Sequence, residues 1–581
     1  MIRPYRLFLL FIIFPSVLFA ASPLQPNGDL GGILQQQFEK QLPQFNLLPQ
    51  PVPSSPPEKP IEETKDEVLV LIKGFRFEGV SLISEEEIQQ DLKPWIGQKS
   101  PLKDLQKAAD QIAELYHGHH FLVQTTIPPQ DINPEEGVIL IQVLEAKLGA
   151  IRIESNENPR FDSRNSGIAN EYFTYGNKLG EYVNTEQIER TIYLINELPG
   201  VAVATEIEPG DKDGEVALKV KLADKALFNG SVSLTNYGNA STGFYQMLGS
   251  LSINNPGGFG DQITLNTVSS AGSEYGQLGY SMPIGVSGLR GGLTLSSLYY
   301  ATLGNFVGSQ GSANTWGFNL NYPLLRTQAT NANLSFAYQN KTNINNNLTT
   351  SVLVSDYLIN EYTFGFSGNH YDNYWGGGVS NVSLNVISGN FTILPDALAS
   401  SYGIYTAPTF SKLTYTLTRN QQIIPDKMIL NVNVSGQFAS GNLDAIERFY
   451  LGGPNGLRAY PSSQGSGDQG IMLNLDFQYQ FPENILGYVF YDIGMVQQYK
   501  EINTYNALGN NFNAGNLYSL SGFGAGAKYN FSGVNFNGAV AYQLGNNPLF
   551  RYDNLAQNYQ PQNNDGTSNH LYFWLQANYP F

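Results

Sequence analysis

The sequence predicts a membrane-spanning antiparallel β-barrel of about 16 strands, preceded by two small α+β domains. Two observations lead there: charge falls sharply along the chain, and the hydrophobic period becomes two where it falls. Of the 81 Asp, Glu, Lys and Arg residues, 54 lie in the first 225 positions and 27 in the remaining 356. Roughly 24% charge is ordinary for soluble domains, whereas roughly 8% suits a surface with a broad lipid-facing band. The 35 tyrosines and 33 phenylalanines fit a chain that meets lipid.

The N-terminus carries Arg3 and Arg6, an apolar run from Leu7 to Phe19, and small residues at Ala20, Ala21 and Ser22. This pattern predicts a secretory signal peptide over residues 1–22. Its apolar run is too short for a spanning helix, and no later stretch is long and apolar enough to serve instead. Cysteine is absent, which excludes a disulfide framework, thiolate metal ligation and a cysteine nucleophile. The net charge of -17, with no Lys/Arg cluster, excludes nucleic acid as a partner.

Residues 23–65 are rich in Pro and Gln and read as an extended linker. Within them, Ile33, Leu34, Phe38 and Leu42 share one face of a short helix over Gly31–Leu42. Such a helix is marginal in isolation and needs a surface to pack on. Residues 66–146 read as strand, helix, helix, strand, strand, with helices at Ser84–Leu92 and Pro101–Tyr116. Residues 147–225 repeat this more sparsely, with one clear helix at Thr185–Glu197 and strands at Ala150–Glu154, Val201–Ile207 and Glu215–Leu222. Two tandem α+β units follow.

From residue 226 to 581 the pattern alternates. Leu473, Leu475, Phe477, Tyr479 and Phe481 alternate with Asn474, Asp476, Gln478 and Gln480, and Leu413, Tyr415 and Leu417 alternate with Lys412, Thr414 and Thr416. The polar face is mostly Asn, Gln, Ser and Thr rather than charged, which suits a wet lumen better than the outside of a soluble sandwich. At about 22 residues per strand and connection, 356 residues give about 16 strands, and the same arithmetic admits 14 or 18. In the last segment Leu571, Phe573, Leu575, Tyr579 and Phe581 share a face, the expected C-terminal signal of an outer-membrane barrel.

One segment is more specific. Arg448–Gly470 reads R-F-Y-L-G-G-P-N-G-L-R-A-Y-P-S-S-Q-G-S-G-D-Q-G, and Phe490, Asp492 and Gly494 form F-x-D-x-G. Together they resemble the sixth-loop and strand motifs of two-partner secretion transporters, the family that exports filamentous haemagglutinins and haemolysins. Asn255–Asp261, Ser281–Gly285, Tyr322–Arg326 and Ile127–Asp131 resemble the same family, so the likeness covers nearly the whole mature chain. The resemblance implies that the tandem units are periplasmic POTRA domains, that residues 31–42 are a plug helix, and that Arg458 anchors the loop to Asp492. The loop motif comprises Gly452, Gly453, Leu457, Arg458, Ala459 and Tyr460. Parity supports the pairing independently: with Val489, Tyr491, Ile493 and Met495 on the apolar face, Asp492 points into the lumen, where a carboxylate wants a cation. Arg suits that role through two parallel bonds. The family usually has Gly where this chain has Ala459, which would be strained if a positive φ is needed there.

The resemblance implies a non-enzymatic exporter in the bacterial outer membrane. Its expected partners are a large β-helical adhesin or haemolysin as cargo, the barrel-assembly machinery, and lipid. No metal or cofactor is expected. Gly465–Gly470 matches G-x-G-x-x-G without the βαβ unit a dinucleotide needs, and His117, His119 and His120 lack the ligand set of a metal site. Two rival readings, an assembly factor for other barrels and a passive porin, differ from export in how many proteins depend on the chain and in whether small solutes pass.

Overall fold

The computed structural model describes residues 30–42, 69–101, 104–130, 137–155, 162–394, 406–501, 516–545, 547, 550–553 and 558–581. The signal segment 1–22 and most of the linker lie outside the described residues.

The first α+β unit contains β1 (Gly74–Glu78), α2 (Glu85–Asp91), α3 (Leu105–Gly118), β2 (Val123–Thr126) and β3 (Val138–Glu145). Its sheet has the order β1-β3-β2, with β1 parallel and β2 antiparallel to the centre. Helix α2 starts where Ser84 accepts a bond from the Glu87 amide, with Glu85, Glu86 and Glu87 at the positive end of the helix dipole. Ile88, Leu105, Ile112, Tyr116, Ile139 and Ile141 fill the core, each fully buried.

The second unit repeats this topology with β4 (Lys147–Ser155), α4 (Asp162–Gly176), α5 (Thr185–Asn196), β5 (Val201–Pro209) and β6 (Glu215–Asp224), in the order β4-β6-β5. Helix α4 went unread in the sequence. Its inward residues include Ala169, Tyr172 and Phe173, too short a stripe among Ser, Asn and Gly to announce a helix. The two units are stitched by main-chain bonds: the Leu122 amide donates to Val183, the Val183 amide to Ala146, and the Ala146 amide to Leu122.

Sixteen antiparallel strands form a closed barrel. The first is Phe228–Thr235; the eleventh to fifteenth are Met428–Ala439, Gln469–Phe481, Ile485–Gln497, Leu517–Phe531 and Val534–Leu544; the sixteenth is Leu571–Pro580. Closure joins the last strand to the first, from Gln576 opposite Thr235 to Pro580 opposite Ser231. Gly230 and Phe581 then exchange amide and carbonyl at 2.9 Å each way. Closure leaves no sheet edge in lipid. Leu571, Phe573, Leu575, Tyr579 and Phe581 all face outward and are exposed, as are Phe477, Tyr479, Val489 and Tyr491. The opposite parity faces the lumen, where Asp492 is fully buried. One-sided exposure of this kind is what a bilayer requires of a strand.

Candidate functional site: the loop and helix inside the barrel

The lumen is filled by two inserted pieces, helix α1 (Leu30–Gln41) and the loop of residues 440–468 between the eleventh and twelfth strands. That loop is the sixth on its side of the barrel.

Arg458 sits at the loop's centre of charge. Its Nε and one terminal nitrogen donate to the two oxygens of Asp492 at 2.9 and 2.7 Å, and its backbone amide adds a third bond at 3.0 Å. The same terminal nitrogen reaches Asp476 on the twelfth strand at 2.6 Å. The guanidinium carbon lies 3.6 Å from the centre of the Phe490 ring. Asn474 donates to Asp492 at 2.8 Å and to the Gly456 carbonyl at 3.0 Å, and the Trp574 indole donates to the Arg458 carbonyl at 2.6 Å. The fully buried Asp492 carboxylate is thus met by four N–H donors, two of them from the Arg458 guanidinium.

The three motif positions on the thirteenth strand divide the work. Phe490 provides a face for the cation, and Asp492 provides the anion. Gly494 leaves space, because a Cβ there would lie 2.5 Å from Leu451 Cδ2 and 3.2 Å from Leu457 Cδ1. Leu451, Leu457 and Ala459 are fully buried, and Tyr460 is nearly so and donates to the Ser521 carbonyl at 3.3 Å. Gly453 adopts φ +119, which only glycine takes readily, and its amide donates to the Tyr460 carbonyl at 3.1 Å. The strain considered for Ala459 does not arise, since it is not among the positive-φ residues. Its methyl instead packs where Gly522 of the fourteenth strand has no side chain: a Cβ on Gly522 would come within 2.2 Å of it.

A second hold on the loop was missed from the sequence. Glu447 is buried and paired with Lys412 at 2.6 Å and with Lys341 at 2.9 Å, and Lys341 also binds Glu361 at 2.8 Å. Arg448 pairs with Asp468 at 3.3 Å and stacks on Tyr499. The loop is therefore tied to both walls. The signal available was parity: Lys341, Lys412 and Glu361 are charges on the inward face of strands that carry few.

Helix α1 lies in the lumen with Leu30, Leu34, Phe38 and Leu42 buried against Leu248, Val268, Tyr275, Leu298, Tyr300 and Ala313. The expected apolar face is thus turned to the barrel wall, although Ile33 is only half-buried and Leu30 takes its place. At the opposite mouth, the second α+β unit is seated on the barrel turns. Arg326 donates to both oxygens of Glu197, Arg190 donates to the Pro323 carbonyl at 2.8 Å, and Leu198 packs on Gly260. The stretches Asn255–Asp261 and Tyr322–Arg326 thus lie at this seat. Burial pushes the Glu197 carboxyl up, against the pull of Arg326, Arg290 and Arg190. Of the three histidines weighed as ligands, His119 pairs with Glu87 at 3.0 Å.

Comparison with known proteins agrees with this arrangement. The model of the haemolysin secretion/activation protein family ShlB/FhaC/HecB matches residues 214–529, and that of the ShlB-type POTRA domain matches residues 70–146. The chain is 29% identical to the heme/hemopexin transporter protein HuxB of Haemophilus influenzae over 478 residues, 80% of this chain and 81% of that protein. It is 23% identical to the hemolysin transporter protein HpmB of Proteus mirabilis over 514 residues, 83% of this chain and 87% of that one. In structure it resembles CdiB from Escherichia coli with a TM-score of 0.67 at 21% identity, covering 96% of this chain and all of that one. With its closed barrel, its inserted loop and its POTRA-type periplasmic units, the chain belongs to the ShlB/FhaC/HecB family of two-partner secretion transporters of the outer membrane.

Proposed function

We propose that this transporter captures one large secreted exoprotein, an adhesin or haemolysin of β-helical type, while it is unfolded in the periplasm. The relatives support the cargo class: one is named for heme/hemopexin transport and one for hemolysin transport. Capture uses the free sheet edges of the two periplasmic units, where an extended chain can add as a further strand. Strand β5, nine residues long, gives the second unit its longest open edge, whereas the start of β4 is already paired with residues 180–182. The cargo then passes through the barrel, and no covalent chemistry is involved. Binding, and folding of the cargo outside, supply the driving force.

The observation that carries this reading is the lumen itself: α1 fills the conduit at rest, while Arg458 holds the sixth loop to Asp492 and Asp476. A passive porin would have no use for a plug. The barrel-assembly machinery inserts the chain, guided by the aromatic face that ends at Phe581. Deleting the gene and comparing secreted and outer-membrane proteins tests the reading. Loss of one large protein from the medium is expected. Depletion of many barrels from the membrane would mark an assembly factor instead, and swelling of liposomes by small solutes would mark a porin.

A further inference from the structure

Besides its apolar face, the plug helix is held in the lumen by side-chain amides acting as donors. Gln36 Nε2 donates to the carbonyls of Ile446 and Arg448 at 3.2 and 3.1 Å, Gln37 Nε2 to the Tyr237 carbonyl at 2.9 Å, and Gln35 Nε2 to Thr315 Oγ1 at 2.7 Å. Three of these four acceptors are main-chain oxygens of the inserted loop or of the turn after the first strand. They select for an N–H and are indifferent to what side chain accompanies it.

The fit is half-complete. Among the described residues, the carbonyl oxygens of Gln35, Gln37 and Gln41 have no donor, although all three are buried. On the wall, Gln246 Oε1 and Asn343 Oδ1 are buried acceptors that also lack a partner among the described residues. Both share the inward parity of neighbours that touch the inserted pieces, Leu248 beside α1 and Lys341 beside Glu447. Leaving such groups unmet is costly, so the site favours an occupant that brings more N–H groups than a helix, whose backbone N–H groups are already used. An extended polypeptide presents its backbone N–H and C=O groups unpaired along its whole length.

We infer that the oxygens of Tyr237, Ile446, Arg448 and Thr315 form a backbone-reading site for the exported chain, and that the glutamine amides of α1 stand in for cargo amides at rest. The inference rests on the export reading above and adds the recognition chemistry: peptide N–H groups of any sequence displace side-chain N–H groups of the plug. Displacement then leaves no buried carbonyl orphaned. It also explains how one lumen passes a chain of varied side chains while staying closed without one.

The test uses the full chain in planar bilayers, with heat-shifted gel migration as the check on folding. Gln36→Met keeps size and helix propensity but removes two donors, and the open fraction should rise about tenfold. Thr315→Val, which alters the wall and leaves the helix intact, should raise it about threefold. An unchanged open fraction in both variants would overturn the inference. On the Gln36→Met channel, a twelve-residue peptide of Ser, Thr and Asn added from the POTRA side should block the current. The same peptide with an N-methylated backbone should need at least about tenfold more. Equal block by both peptides, or block by neither, would also overturn it. Those results with normal secretion of the partner protein leave the export reading standing, whereas a deletion strain that still secretes everything removes that reading first.

Discussion

The Arg458 guanidinium lies over the Phe490 ring, 3.6 Å from carbon to ring centre, so the loop's cation is shared between an aromatic ring and two carboxylates. The pairing is tight because it is built from adjacent inward positions of one strand, Phe490 and Asp492, with Asp476 supplied by the strand beside it.

Arg458→Ala leaves the Asp492 carboxylate buried without its cation. Removing one partner of a buried pair costs about 3–5 kcal/mol, enough to expel the loop from its seat. Export of the partner should fall below detection while the barrel still assembles. Western blotting of the medium, with heat-shifted migration of the barrel, checks both halves. Arg458→Lys restores charge without the two-pronged geometry and should recover only part of the export. Wild-type secretion in Arg458→Ala would refute the anchor role.

The methyl of Ala459 and the bare Cα of Gly522 form a matched pair. Gly522→Ala puts two carbons within 2.2 Å unless the loop moves, an overpacking worth about 1–3 kcal/mol. Protease accessibility of the sixth loop should rise and export should drop. Ala459→Gly alone should be mild, and the double variant should recover most of the loss, giving a coupling of about 1–2 kcal/mol. Additive single effects would mean the two sites do not touch in the membrane.

The period of two made the barrel readable, and with it the inward direction of Asp492 and Asp476, because side-chain direction in a strand follows from counting residues. Loops have no such rule. Glu447 was therefore invisible as a partner for Lys341 and Lys412, which lie far from it in sequence. The apolar face of α1 was legible, but its seat was not, since nothing in Leu34 or Phe38 names Leu298 or Tyr275 as neighbours. Helix α4 was hidden for another reason: it buries only a narrow stripe around Ala169, Tyr172 and Phe173, set among Ser, Asn and Gly. The Ala459 question was legible only as a question, and Gly522, 63 positions on, answers it.

Glu145 links the first unit internally and borders the second. Burial pushes its carboxyl up, but bonds from the Ser81 side chain and amide, the Leu82 amide and the Tyr116 hydroxyl outweigh this and hold it below the usual carboxylate range. A depressed folded pKa adds stability that is present above the unfolded value of about 4.3 and lost as pH falls through the folded value. Hydrogen exchange at residues 80–83 in the full chain, corrected for intrinsic rates, should show protection at pH 7 and progressive loss below about pH 4. Glu145→Gln should exchange faster at pH 7 and show little further change on acidification. A wild-type profile flat to pH 3 would contradict the assignment.

Glu197 and Arg326 couple the second periplasmic unit to the barrel, and the two partners are not equivalent. Arg326 is almost fully buried and also donates to the carbonyls of Leu325 and Ala332 at 2.9 and 3.0 Å and to Asn333 at 2.6 Å. Glu197 ends α5 and is partly open to water. Glu197→Ala should therefore loosen the seat while the barrel persists: exchange at α5 and at residues 326–330 rises several-fold. Arg326→Ala should be worse, because it also strips donors from two carbonyls and Asn333 within the barrel. The charge swap Glu197→Arg with Arg326→Glu should not rescue, since a carboxylate at 326 would face those same carbonyl oxygens. Recovery of wild-type protection in the swapped protein would show that the ion pair alone, and not the network around Arg326, holds the unit in place.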